Sequence, residues 1–313
     1  MIEVNNIARR FGPRIAVDGV TFTAEPGTVL GFLGPNGAGK TTTIRMIAGY
    51  LAPDRGAITV MGDNVLANPV AAQRHIGYMP ERTPLYEDMS VEGFLSFIAD
   101  VRGFRGSDKK ARIDRALDAC ILGPVRHQVI ETLSKGYRQR TCLAQAILHD
   151  PPVLLLDEPT EGLDPNQKKV VRDMIADMAR DKVIMISTHV LEEVEAICNR
   201  VIIVSEGRIV ADNTPDALKQ QSPRHHAVEI SLAAGPDLAI PAFKALDGVK
   251  SVIRLGSESD PLRLRILPHP GHILAPHILA EARRHNWPIA DFRTETGRLD
   301  DVFRQITTTQ DAA

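Results

Sequence analysis

Residues 34 to 41 read Gly34-Pro35-Asn36-Gly37-Ala38-Gly39-Lys40-Thr41, three glycines leading to a Lys-Thr pair. Glycines let consecutive backbone N–H groups converge on phosphate oxygens, and a helix starting where the loop ends adds positive potential. Lys40 is then expected to reach the β and γ phosphates of a nucleotide, and the hydroxyl of Thr41, next to Thr42, to bind Mg²⁺. The loop follows the apolar run Thr28 to Gly34 and opens a helical stretch from Thr42 to Gly49. That strand-to-helix context is what the P-loop pattern requires, so the segment predicts nucleotide binding. Kinases, GTPases, helicases and transport ATPases all share such a loop, and the reaction must be read from residues further on.

The first of these residues end another apolar run, Leu154-Leu155-Leu156-Asp157-Glu158. In isolation an acidic pair at a strand end reads as solvated charge. Beside a phosphate loop, Asp157 suits binding of Mg²⁺ at one remove, through water, while Glu158, pointing to the opposite side, can polarise an attacking water.

Elements must hold these residues. Thr28 to Gly34, Val153 to Glu158, Val183 to Thr188 and Val201 to Gly207 are short and almost wholly apolar, which suits strands buried on both faces of a largely parallel sheet. Between them, from about 85 to 148, Val91, Phe94, Leu95, Ile98 and Val101 recur at helical spacing, as do Ile113, Ala116, Leu117, Cys120 and Ile121, predicting a helical insert. After about residue 220, Gln-Ser-Pro-Arg-His-His reads as a linker. The remainder, 221 to 313, reads as strand, helix, strand, strand, helix, strand, the ferredoxin-like order. A last helical piece, Leu299 to Thr307, falls outside that pattern.

Composition sets the outer limits. The chain has 313 residues, 43% hydrophobic and 24% charged, with 37 Lys plus Arg against 39 Asp plus Glu. This excludes a disordered or collagen-like chain, and the length suggests two domains. A net charge of −2 argues against bulk attraction to nucleic acid or anionic lipid. No apolar stretch is long enough to span a bilayer and the first residues lack a signal-peptide core, so a cytosolic chain is expected. Three distant cysteines suit buried free thiols better than a disulfide framework.

On these motifs residues 1 to about 220 resemble the ATP-binding-cassette (ABC) ATPases. Leu133-Ser134-Lys135-Gly136-Tyr137-Arg138-Gln139-Arg140 is similar to that family's signature loop, in which a capped helix N-terminus meets the γ phosphate held by a second copy. The resemblance therefore implies a head-to-tail dimer, with Ser134 and Gly136 facing the partner's ATP. It also implies Phe11 as the platform for adenine with Val17 as an apolar wall, His189 as the switch histidine that orders the attacking water, and Glu161-Gly162-Leu163-Asp164 as the D-loop. Four positions depart from the family pattern: Lys135 replaces a glycine and Tyr137 a glutamine of the signature, Glu161 a serine, and Glu81 the glutamine that contacts Mg²⁺ and reports nucleotide state. Glutamate keeps an oxygen ligand there.

Glu81, the signature variant and the C-terminal extension are similar to the exporter branch whose permease is a separate polypeptide, which includes gliding-motility, drug, polysaccharide and copper-enzyme-maturation ATPases. This resemblance implies an α/β P-loop cassette (1–220) with a small α+β domain (221–313), ATP and Mg²⁺ as ligands, and a transmembrane permease as partner. No nucleic acid is expected, and the place is the inner face of the cell membrane. The rival is a soluble ABC ATPase acting on ribosomes or DNA, but those usually carry two cassettes or a coiled-coil insert and basic surfaces. Histidines 225, 226, 269, 272, 277 and 285 crowd the second domain. Prolines interrupt any regular face they could share, so they read as solvated rather than as a metal site.

Overall fold

The computed structural model describes residues 1–233, 238–256 and 262–308, and the chain divides into two compact units, Met1–Asn213 and Thr214–Ala313. The first unit carries two sheets. One is antiparallel, ordered β2-β1-β4-β5, with β1 Ile2–Phe11, β2 Arg14–Ala24, β4 Arg55–Val60 and β5 Asp63–Asn64.

The other sheet has six strands: β3 Val29–Leu33, β6 Ile76–Met79, β7 Val153–Asp157, β8 Val183–Thr188, β9 Arg200–Ser205 and β10 Arg208–Asn213. Their order is β10-β9-β3-β8-β7-β6, parallel except for β10, which returns antiparallel on β9. The apolar runs of the sequence are these strands. Every residue of β3, β7 and β8 is buried, which is why none of them alternates apolar with polar. The turn into β10 uses Glu206 at φ 48° and Gly207 at φ 78°, the two positive values that a tight hairpin of this hand needs. Between the sheets lies the main core, where the Phe22 and Phe32 rings sit 5.9 Å apart beside Ile44, Met46 and Ile47 of α1 (Lys40–Ile47).

A short α2 (Pro69–Arg74) precedes β6. The insert is then α3 Val91–Val101, α4 Gly106–Ala119 and α5 Lys135–Ile147. Serines start two of these helices: the Ser90 hydroxyl accepts from Gly93 N, and the Ser134 hydroxyl from Tyr137 N. Arg126 ties the insert together by pairing with Glu92 of α3 and with Asp114 of α4. These groups are about one-third exposed, so solvent weakens both pairs. Arg126→Met should cost about 1 kcal/mol and quicken amide exchange in α3 and α4 about fivefold, and unchanged exchange would remove the tie. The hydrogen bond from Arg126, working against burial, holds the Glu92 carboxyl below its usual 4.5. The contribution is therefore complete above that value and is lost as pH falls through the lowered one.

Two further helices complete the unit, α6 Pro165–Met178 and α7 Leu191–Ile197. Cys120, Cys142 and Cys198 are free and buried, as the sequence suggested, and burial pushes each thiol up to about 12. No helix among the described residues is long and apolar enough to cross a membrane.

The second unit opens with α8 (Pro215–Lys219), then runs β11 His225–Leu232, α9 Ala239–Lys244, β12 Val249–Leu255, β13 Leu262–Pro268, α10 Ala275–Arg284, β14 Ile289–Thr296 and α11 Leu299–Thr308. Its sheet is antiparallel throughout, ordered β12-β13-β11-β14. Phe243 and Trp287 meet edge to face at 5.3 Å in its core. The division falls at Asn213, earlier than the linker read from the sequence, because α8 packs against α11. Asp301 on α11 takes the Ser222 hydroxyl at 3.0 Å and Arg224 at 3.3 Å, fastening the segment that the sequence left as linker. Of the six histidines, His225 and His226 lie with ring centres 3.9 Å apart and His269 and His272 6.5 Å apart, while His285 stacks on Trp287 at 4.7 Å. No grouping of three metal-ligating side chains occurs among the described residues.

Candidate functional site

The carboxyl ends of four parallel strands deliver the chemistry. Gly34 follows β3, Glu81 follows β6, Asp157 ends β7 and His189 follows β8. Side chains from distant parts of the sequence therefore meet at one sheet edge, the edge where open α/β sheets hold ligands.

The loop after β3 takes its shape from two close approaches. A Cβ on Gly34 would lie 2.5 Å from the Val204 carbonyl oxygen, and one on Gly39 2.4 Å from that of Ala16. Gly39 also has a φ of +104°, a region that L side chains avoid. Only glycine fits at either place. The turn lets α1 begin at Lys40 with its amide groups facing the loop.

Lys40 is 7% exposed, and its Nζ donates to the Gly34 carbonyl at 2.7 Å and the Pro35 carbonyl at 3.3 Å. Burial holds its amine below the usual value, against the pull of Glu158, Asp157 and Glu81. Glu158 Oε1 lies 4.0 Å from Lys40 Nζ and 2.9 Å from His189 Nδ1. Burial raises the Glu158 carboxyl above 4.5, opposed by His189 and then Lys40. The Glu158 backbone sits at φ 51°, held by its N–H donating to the Ser187 carbonyl at 3.0 Å. A carboxylate in such a place is a stronger base than a solvated one.

Asp157 is fully buried. Its Oδ1 accepts from the Ser187 hydroxyl and, at 3.2 Å, from Thr41 Oγ1, whereas Oδ2 has no hydrogen-bond partner among the described residues. A buried carboxylate oxygen left without a donor, next to a threonine hydroxyl, is a hard-oxygen set that fits Mg²⁺.

A cleft of about 590 Å³ gathers the pieces. Phe11, Asn36, Gly37, Gly39, Lys40, Thr41, Thr42, Glu81, Glu158 and His189 line it, together with Arg14, Ala16 and Glu161. Phe11, at the end of β1, is 48% exposed with the Arg9 guanidinium 5.2 Å from its ring centre. Gly34, Pro35, Ala38 and Asp157 do not line this cleft. Val17, expected as an apolar wall for a base, differs: it is fully buried with its Cγ2 under Gly39, because β2 turns that side chain into the core. Ser134 and Gly136 stand apart from the cleft of their own chain, Gly136 packed against Gln167.

Sequence reading missed Arg14, whose Nη2 donates to the Gly37 carbonyl at 3.0 Å and so braces the loop. Its only signal is its place in a tight turn after Phe11. Glu161, noticed as a departure, was not assigned to the cleft that it lines.

The ABC transporter family model matches residues 17–161. A Nod factor export ATP-binding protein I from Burkholderia lata (strain 383) is 34% identical over 278 residues, 86% of this chain and 90% of that protein. A probable multidrug ABC transporter ATP-binding protein, YbhF of Escherichia coli K12, is 37% identical over 223 residues, 71% of this chain but only 38% of that longer protein. A solved structure described as the ATP binding subunit of an ABC transporter superposes with a TM-score of 0.65 at 31% identity, covering 71% of this chain and 92% of that one.

Proposed function

This chain belongs to the ATP-binding proteins of the ABC transporter family, and from that premise we propose that it hydrolyses ATP to power an exporter, working as a head-to-tail dimer on a separate transmembrane permease. The observation that carries the reading is the convergence of Lys40, Glu158 and His189 within one cleft, at 4.0 and 2.9 Å. Lys40 and the loop amides bind the phosphates, and Phe11 supports the base. Thr41, Asp157 and Glu81 would hold Mg²⁺, which when bound neutralises phosphate charge. Glu158 takes a proton from the attacking water, and His189, hydrogen-bonded to it, holds that carboxylate toward the γ phosphate. The amides at the start of α5, beyond Ser134, face the γ phosphate bound by the second copy, so closure of the dimer completes both sites.

A groove of about 760 Å³ between α2 and the insert supports the permease reading. Val70 and Val101 stand 65% and 69% exposed along it, beside Phe104, Arg74 and Arg102. At its floor His149 is kept neutral, since burial pushes it down to about 3. Its ring pairs with the Ile76 carbonyl at 3.1 Å through Nε2, leaving Nδ1 without a partner among the described residues. The exposed valines suit a protein segment that would cover them.

Val101→Glu should leave ATP hydrolysis by the isolated chain intact but weaken capture of the permease about tenfold or more. In the parent experiment, gentle detergent extraction recovers the chain with a multi-span membrane protein. Recovery with ribosomes instead, at undiminished levels for Val101→Glu, would overturn the reading.

A further inference from the structure

One buried carboxylate has no part in the chemistry of the nucleotide cleft. Glu193, in the first turn of α7, is 3% exposed. Its Oε1 accepts from the Thr160 hydroxyl and from Lys168 Nζ at 3.1 Å, and its Oε2 accepts from the Thr188 hydroxyl at 3.2 Å. Thr160 and Thr188 are themselves 2% and 0% exposed.

Each donor adjoins a different segment of the site. Thr160 lies just past Glu158, in a turn where Glu161 N donates to the Glu158 carbonyl and Leu163 N to the Thr160 carbonyl, both at 3.2 Å. Thr188 immediately precedes His189, and its hydroxyl also accepts from Val190 N at 3.0 Å. Lys168 is early in α6, whose N-cap is Asp164, the last residue of the Glu161-Gly162-Leu163-Asp164 loop.

A buried carboxylate costs free energy that an apolar side chain of the same volume would not. What it supplies in return is direction: three donors on three segments must point at two oxygens.

We propose that Glu193 is a positioning residue for hydrolysis. It fixes the segment carrying Glu158 against the segment carrying His189, and through Lys168 it links both to α6 and the loop that precedes α6. It does not line the nucleotide cleft, so it acts only through its neighbours. The proposal rests on the reading of Glu158 as the base. A shift of about 1 Å in a reacting group is enough to cost about a hundredfold in rate, and release of either threonine allows such a shift.

The test is steady-state ATP hydrolysis by the full chain and four variants, with rates divided by the concentration of ATP-binding sites. Glu193→Gln keeps the size but removes the charge that holds Lys168. It should lower kcat about ten- to a hundredfold while KM for ATP stays within about twofold. Lys168→Met should do the same, Lys168→Arg should restore most of the rate, and the Glu193→Gln/Lys168→Met double variant should be no slower than its slower parent. An unchanged kcat in folded Glu193→Gln, a loss that vanishes once rates are divided by site concentration, or additive losses in the double variant would each overturn the proposal. If Glu193→Gln fails to fold, Lys168→Met decides, because its side chain is 27% exposed and outside the core. Glu158→Gln is run in parallel. If it too hydrolyses at the parent rate, the reading of the base has failed; if it is slow while Glu193→Gln is not, the positioning role alone has failed.

Discussion

Glu158→Gln should bind ATP as tightly as the parent chain and hydrolyse it about a thousandfold more slowly, the middle of the range for loss of a general base. The substitution keeps the shape of the side chain and a hydrogen-bonding oxygen for His189, but removes the proton acceptor. Bound ATP then persists, and a closed dimer accumulates that gel filtration separates from the monomer. Turnover at the parent rate would mean that another group takes the proton. The pH dependence offers a second check. The base works only when ionised, and burial holds its carboxyl above 4.5, so kcat should fall as pH drops through that raised value rather than at the usual carboxylate range. His189 is the largest of the influences that lower it. His189→Ala should therefore move the acid limb to higher pH as well as slow the reaction, whereas a limb that moves to lower pH would contradict the hydrogen bond between the two side chains.

Lys40→Ala should abolish ATP binding at concentrations that saturate the parent chain. Lys40 Nζ is a buried cation held by two carbonyl oxygens of the loop. Without it, phosphate oxygens would enter a site where the negative field of Glu158, Asp157 and Glu81 is less well opposed. Truncating one partner of a buried charge pair costs about 2 to 5 kcal/mol in binding, about thirtyfold to several thousandfold. Calorimetric titration reads the affinity directly, and the midpoint of thermal unfolding should rise with ATP in the parent but not in the variant. An affinity within a few-fold of the parent would show that the loop amides suffice.

The phosphate loop was legible because its residue types fall within eight consecutive positions. Gly39 answers to its own φ of +104° and Lys40 to carbonyls of the loop, although the close approaches that demand glycine at 34 and 39 come from Val204 and Ala16. Asp157 and Glu158 were legible because two acids that end an apolar strand occur in a chain that also carries a phosphate loop. The strands of the first unit announced themselves by lack of alternation. Arg14, Val17 and Glu193 were not legible, because each owes its role to a strand or helix far off in sequence. Val17 looks like any apolar residue of a strand, and only the direction in which β2 faces decides between core and cleft. Glu193 belongs to a Leu-Glu-Glu-Val-Glu run that reads as a solvated helix, and its burial follows from α7 lying across the end of β8. The division at Asn213 has a similar origin: α8 looks continuous with the preceding strand until α11, about eighty residues later, packs on it.

The position of β3 carries one more consequence. It lies between β8 and β9, and the shape of the loop after it depends on the Val204 carbonyl. A growing chain that has emerged as far as His189 holds every motif of the nucleotide site, yet it has no cradle, because the strand that closes one side of the loop is still to be made. Nucleotide is therefore expected to stabilise the chain only once β9 is in place, as a reader of the completed fold rather than as a template for it.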